Sequence, residues 1–190
     1  MSSQPTTYLT PEEYLVIERQ AEYKNEYVDG EIVAMTGASR KHNLIVVNII
    51  GEISQQLKGR SCEGYSGDMR VRVPSTRLYT YPDVVVVCGE PQFEDDYVDT
   101  LLNPTLIIEV LSESTELYDR GKKFGLYRTI ESLAEYILVA QDERRIEQFV
   151  RQADARWLLS DHRLPEDTVE LASIQCSLQL QEVYDKVAFS

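Results

Sequence analysis

Two carboxylates and a lysine carry the chemistry this chain offers most plainly. Asp83 follows Pro82 and opens an apolar run, Val84 to Cys88, while Glu109 sits inside a second run, Leu106 to Leu111. Period-two alternation puts Leu106, Ile108 and Val110 on one face and Ile107, Glu109 and Leu111 on the other. Neither face is polar, which predicts a strand buried on both sides. A lone ionised carboxylate there costs several kcal/mol. It requires a hydrogen-bonded partner, a raised pKa or a metal ion. A helical stretch with Lys122 and Lys123 follows. Taken singly, Pro-Asp is a common turn dipeptide and a buried Glu pairs readily with Lys or Arg. Taken together, two acids from neighbouring strands and a lysine are the equipment of a magnesium-dependent phosphodiesterase.

The elements that must position these groups follow from local pattern. Thr10, Pro11 and Glu13 make a helix start with a capping box, and that helix runs to about Gln20 with Tyr14, Leu15 and Ile17 as its apolar side. Asp29-Gly30 is a hairpin turn flanked by Glu26 and Glu31, both read as solvated edge acids. Lys41 to Leu57 is helical, carries His42 in its first turn and ends at Gly59. Asp68 to Val73 alternates like a half-buried antiparallel strand, Pro74 to Thr80 reads as a turn, and Glu90 to Asp99 as a solvated loop. Beyond Glu109, Ser112 to Thr115 offers caps for a helix through Ile130. Gly121 inside it marks a close backbone approach or a later helix start. Asp119 and Lys123 share a face, either as a surface ion pair or with Asp119 orienting the ammonium towards the site, on a side that Leu126 and Ile130 would tilt to the core. Lys122 points about 100° away from Lys123 and is expected in solvent. Tyr136 to Val139 is a further strand ending at Gln141, Ile146 to Val150 and Trp157 to Leu159 form a hairpin, and Leu178 to Phe189 reads as a short helix.

With 190 residues, 43% of them hydrophobic, the chain suffices for one domain with a real core, at about 10–150, and a C-terminal hairpin and helix over 151–190. No apolar run approaches the roughly 18 residues of a membrane span. The first residues lack the basic and apolar regions of a signal peptide. Cys62, Cys88 and Cys176 are scattered and odd in number, which predicts a reducing cytoplasm, no disulfide framework, and Cys88 as core filler. The balance of 32 acids against 19 Lys plus Arg, a net −13, opposes nucleic-acid binding unless bases such as Arg60, Arg70, Arg72, Arg77, Lys122 and Lys123 cluster.

At these residues the chain resembles the PD-(D/E)XK superfamily, and within it the Uma-type restriction-endonuclease-like family. The matching stretches are EYVDGEIVAM, KHNLIVVNI, GDMRVRV, YPDVVVV, NPTLIIEVLSEST, YDRGKKFGLYR and EYILVAQ. The superfamily motif ends in lysine two residues after the second acid, where this chain has Leu111. A lysine from the next helix is a variant within the superfamily, and Lys123 fits it. The resemblance implies an α/β fold, a central mixed sheet flanked by helices. It implies Asp83, Glu109 and the Val110 carbonyl as holders of Mg²⁺, with Mn²⁺ as a substitute, and Asp83, Glu109 and Lys123 as the catalytic set. Glu31, His42, Asp119 and Gln141 are accessory candidates, and DNA is the expected partner. Apolar residues on the terminal elements suggest a homodimer. The alternative is an inactive nuclease fold kept for protein interaction or oligomerisation, which the net charge and the displaced lysine favour. A weaker third reading is hydrolysis of RNA or a small nucleotide.

Overall fold

A computed structural model describes residues 8–112 and 115–189. The chain opens with helix α1 (Pro11–Glu18), capped by Thr10 with Glu13 reciprocating in a full capping box. Its buried residues are Tyr14, Leu15 and Glu18, while Ile17 stays exposed. The hairpin β1 (Asn25–Val28) and β2 (Glu31–Ala34) turns at Asp29 and Gly30, which both take positive φ, 53° and 100°. That is the conformation an Asp-Gly hairpin turn needs. Helix α2 (Arg40–Leu57) follows, N-capped by Ser39, and Gly59 at φ 75° lies just past its end.

Next come β3 (Cys62–Ser66), β4 (Arg70–Val73), β5 (Leu78–Thr80), β6 (Val84–Cys88), β7 (Thr100–Leu101) and β8 (Leu106–Leu111). A continuous helix, α3, is built from the turn Glu116–Tyr118, the π-helical turn Asp119–Lys123 and the turn Phe124–Tyr127. The strands β9 (Glu135–Ala140), β10 (Ile146–Arg151), β11 (Trp157–His162), β12 (Thr168–Leu171) and β13 (Cys176–Gln179) lead to a closing helix, Leu180–Val183.

Two sheets dominate. The larger has the order β11-β10-β9-β8-β6-β3 and the smaller β2-β1-β5-β4-β7. In the larger sheet β8 pairs antiparallel with β6 and parallel with β9, so the sheet is mixed. All six residues of β8 are buried, as the two apolar faces predicted. One face packs Val84, Val86, Leu106 and Ile108 against Ile45, Ile49 and Ile53 of α2 and against the C-terminal elements. The other packs Val85, Val87, Ile107 and Leu111 against Val71, Val73 and Leu78 of the smaller sheet and Tyr127 of α3.

Several expectations need correction. Cys62 and Cys88 face each other across β3 and β6 and form a disulfide; only Cys176 is free, and it is buried. Their 26-residue separation hid the pairing, which a cross-strand register creates. Leu78–Thr80 is a strand and not part of a turn, and of the helix expected over Leu178 to Phe189 only Leu180–Val183 is helical, Leu178 and Gln179 ending strand β13. Glu90 to Asp99 is anchored: Glu94 takes Arg72 at 2.5 Å and Tyr79 at 2.7 Å, and Arg19 holds Asp95 and Asp99 at 2.8 Å each. α3 ends at Tyr127, not Ile130. A Cβ on Gly121 would meet nothing within 4 Å, so no close approach explains that glycine. The caps expected at Glu113 and Ser114 lie outside the described residues, as do residues 1–7. Among the described residues no helix is long and apolar enough to cross a membrane.

Candidate active site

The antiparallel register that pairs Val84 with Ile108 makes Asp83 and Glu109 the next step of the same ladder. They therefore stand side by side on one face of the larger sheet. Asp83 is held from two directions. Its Oδ1 lies 2.9 Å from Nε2 of His42, and its Oδ2 accepts the backbone N–H of Val110 at 2.7 Å. His42 is in turn fixed by the N-cap of α2, since its backbone N–H donates to Oγ of Ser39 at 3.0 Å. Ser39 also donates its hydroxyl to Oε1 of Gln141 at 2.6 Å, which ties the end of β9 to the start of α2.

Glu109 lies deeper. Its Oε1 accepts the hydroxyl of Tyr127 at 2.9 Å and the Nζ ammonium of Lys123, also at 2.9 Å. Lys123 is shared: Oε1 of Glu26 is 3.3 Å away and Oδ1 of Asp119 is 3.6 Å away. Glu26 accepts the Thr80 hydroxyl in a short contact, because β1 and β5 pair Tyr27 with Tyr79 and so carry Glu26 alongside Thr80. The π-helical turn Asp119–Lys123 buries both of its ends while Lys122 stays exposed, as expected for Lys122. Single π-turns of this kind are frequent at functional sites.

The electrostatics follow from three carboxyl groups crowded on one ammonium. Burial pushes the Glu109 carboxyl up to about 8; Lys123 works against that rise, and Asp83 and Asp119 add to it. Asp119 is raised by burial too, with Lys123 opposing. Burial alone would lower the Lys123 ammonium, but Glu109, Tyr127, Glu26 and Asp119 outweigh it and hold its pKa well above the ordinary lysine value. Lys123 thus stays charged, and a proton on Glu109 relieves the excess negative charge.

All of these groups except Tyr127 and Thr80 line one open cleft of about 1610 Å³. Asp83, Glu109, Val110, His42, Asp119, Lys123 and Gln141 line it together. Glu31 lines the same cleft but is exposed, and Glu26, on the other strand of the hairpin, is the one that reaches Lys123. Asp119 and Lys123 form a buried pair and not a surface one. Leu111, at the motif's lysine position, is buried in the core behind the site. The arginines do not converge: Arg60 binds the carbonyl oxygens of Ile174 and Gln175, Arg70 is buried on Asp99 and Tyr81, and Arg72 is on Glu94. Glu26, Thr80 and Tyr127 were not expected at the site. Only the alternation Glu26-Tyr27-Val28, with Tyr27 pointing inward, could have hinted that Glu26 faces the other way, towards the cleft.

Buried Glu109 and half-buried Asp83 thus stand on adjoining strands of a mixed sheet, backed by a helical lysine, in a restriction-endonuclease-like fold. A crystal structure of a "putative nuclease belonging to DUF820" from Anabaena variabilis has this fold, superimposing with a TM-score of 0.77 at 18% identity over 95% of this chain and 99% of that one. The chain belongs to the Uma2 family, whose model, described as "Putative restriction endonuclease", matches residues 11–182. Two relatives from Synechocystis sp. carry the names "Uncharacterized protein sll1609" and "Uncharacterized protein slr1290". The first is 40% identical over 156 residues, covering 82% of this chain and 88% of the relative. The second is 37% identical over 187 residues, covering 98% and 97%.

Proposed function

We propose that the protein is a magnesium-dependent endonuclease, with Mn²⁺ as a substitute cation, that hydrolyses phosphodiester bonds in DNA. The observation that carries this reading is the side-by-side placement of Asp83 and Glu109 at an open cleft, with the Lys123 ammonium 2.9 Å from Glu109. The donor set fits a divalent cation. Three carboxyl groups, those of Glu26, Glu109 and Asp119, surround one ammonium, Asp83 stands beside Glu109, and burial has already driven Glu109 towards the protonated form. Among the described residues no three His, Cys, Asp or Glu side chains are placed to hold a metal ion between them as a cage. Magnesium needs no such cage; one or two carboxylates and a carbonyl suit it, with waters completing its shell.

Asp83, Glu109 and the Val110 carbonyl are the groups that would hold the ion. When bound, it supplies polarisation of the scissile phosphate and a water of lowered pKa. His42 and the Val110 N–H orient the Asp83 carboxylate. Tyr127 orients Glu109 from the core side. Lys123 stabilises the negative charge that develops on the phosphate oxygens. The test is nicking of supercoiled plasmid with Mg²⁺ or Mn²⁺. Lys123→Ala should lose a hundredfold or more, about the cost of removing a transition-state charge donor, and Lys122→Ala should alter only the salt dependence of binding. Equal rates in Lys123→Ala and wild type would remove Lys123 from the reaction.

One observation favours the rival reading of an inactive interaction module. The cleft walls carry Asp29, Glu31 and Asp68 besides the four site acids, against Lys24, Lys122 and Lys123. Such a wall repels a polyanion unless cations intervene. Absence of cleavage by the wild type with either cation would decide for that module.

A further inference from the structure

The lysine of this site has more than one carboxylate. In the geometry described, Lys123 donates to Glu109 at 2.9 Å, the same carboxylate that is to hold the cation. An acid engaged by a cation has less of its charge left for an ammonium. Some other group must then keep Lys123 charged and aimed.

Glu26 is placed for that. It comes from β1, in the smaller sheet, whereas Asp83 and Glu109 belong to the larger one. Its Oε1 is 3.3 Å from Nζ of Lys123 and its side chain is 13% exposed. The Thr80 hydroxyl, itself fully buried, fixes it from behind across the β1–β5 ladder. It lines the same cleft as Asp83 and Glu109. Asp119 also reaches the ammonium, at 3.6 Å, but from the same helix as Lys123, so it moves with the lysine and cannot set its direction relative to the sheets.

We propose that Glu26 is a positioning residue: it takes the Lys123 ammonium when Glu109 turns to the cation, and so keeps the lysine directed at the reacting phosphate. This rests on the phosphodiesterase reading above. Glu26→Gln keeps the shape and removes the charge. It should lower the single-turnover cleavage rate at saturating DNA by about tenfold to a hundredfold, as loss of part of the transition-state stabilisation that Lys123 supplies does. DNA affinity measured with Ca²⁺, and the melting temperature, should stay near wild type. Because Glu26 acts through Lys123, the double variant Glu26→Gln/Lys123→Ala should cleave no more slowly than Lys123→Ala alone. Thr80→Val, which removes the anchor and leaves both charges, should show a smaller loss of the same kind, and it serves if Glu26→Gln does not fold. Wild-type rates in Glu26→Gln or Thr80→Val, or losses that multiply in the double variant, would overturn the assignment while leaving the nuclease reading intact. An inactive wild type would overturn both.

Discussion

Glu109 is the residue on which burial, charge and chemistry compete most directly. Its folded pKa is raised, so between about 4.3, the ordinary glutamate value, and about 8 the folded chain holds a proton that the unfolded chain has released. The folded state binds more protons throughout that window, so metal-free stability should fall as pH rises through it. The contribution is fully present below the unfolded value and is gone above the folded one. In urea unfolding without divalent cations, wild type should lose on the order of 1 kcal/mol or more between pH 5.5 and 8, one pKa unit being worth about 1.4 kcal/mol. Glu109→Gln should flatten that slope; identical slopes would show that Glu109 is not the group titrating. Glu109 was legible in the sequence because it is a charge inside an apolar run, where the cost of burying it singles it out, and Asp83 because it opens the neighbouring apolar run behind Pro82. Glu26, Thr80 and Tyr127 were not, because each reaches the site through a register between strands or the roll of a helix. Neither leaves a local mark. Glu26 looks, in sequence, like any acid beside a turn.

At the scale of elements, the long and strongly patterned pieces were legible: α2, the Asp-Gly hairpin, and the twin apolar strands β6 and β8. The short pieces were not. Cys62–Ser66 has no clean alternation, and Leu78–Thr80 is three residues long, so both are strands only because their partners hold them. The disulfide belongs to this scale. It fastens edge strand β3 to β6, the strand that Asp83 introduces. Thiol titration of the unreduced, denatured protein should find one free thiol, Cys176, and three after reduction. Closing a 26-residue separation is worth about 3–4 kcal/mol in the chain-entropy account. Cys62→Ser should therefore lower the urea midpoint markedly under oxidising conditions and little under reducing ones. A midpoint indifferent to reductant in the wild type would count against the pairing.

For the whole molecule, the C-terminal segment is part of the core and not a decoration on it. Val169, Leu171, Leu178, Leu180 and Val183 are fully buried and pack with Ile45, Ile49 and Ile53 of α2 in one cluster. Each such side chain is worth about 1.5–3 kcal/mol on burial, and a whole domain has only about 5–15 kcal/mol in hand. Truncation after residue 163 should therefore leave a chain without a cooperative unfolding transition by circular dichroism; a truncated form that melts like wild type would refute this. The sequence hid the segment's role because β12 and β13 are short, and their apolar residues match no helical period.

Lys123 touches a carboxylate from each of the two large sheets, Glu109 from one and Glu26 from the other. Its ammonium is therefore a gauge of how the sheets are seated against each other. A shift of an ångström between them lengthens one of those contacts at once, while every strand keeps its own ladder. The chemistry should thus be more fragile than the architecture. Under rising urea, cleavage should fade while far-ultraviolet circular dichroism still reports intact sheets, and any molecule that wedges or clamps the two sheets would govern the reaction without entering the cleft.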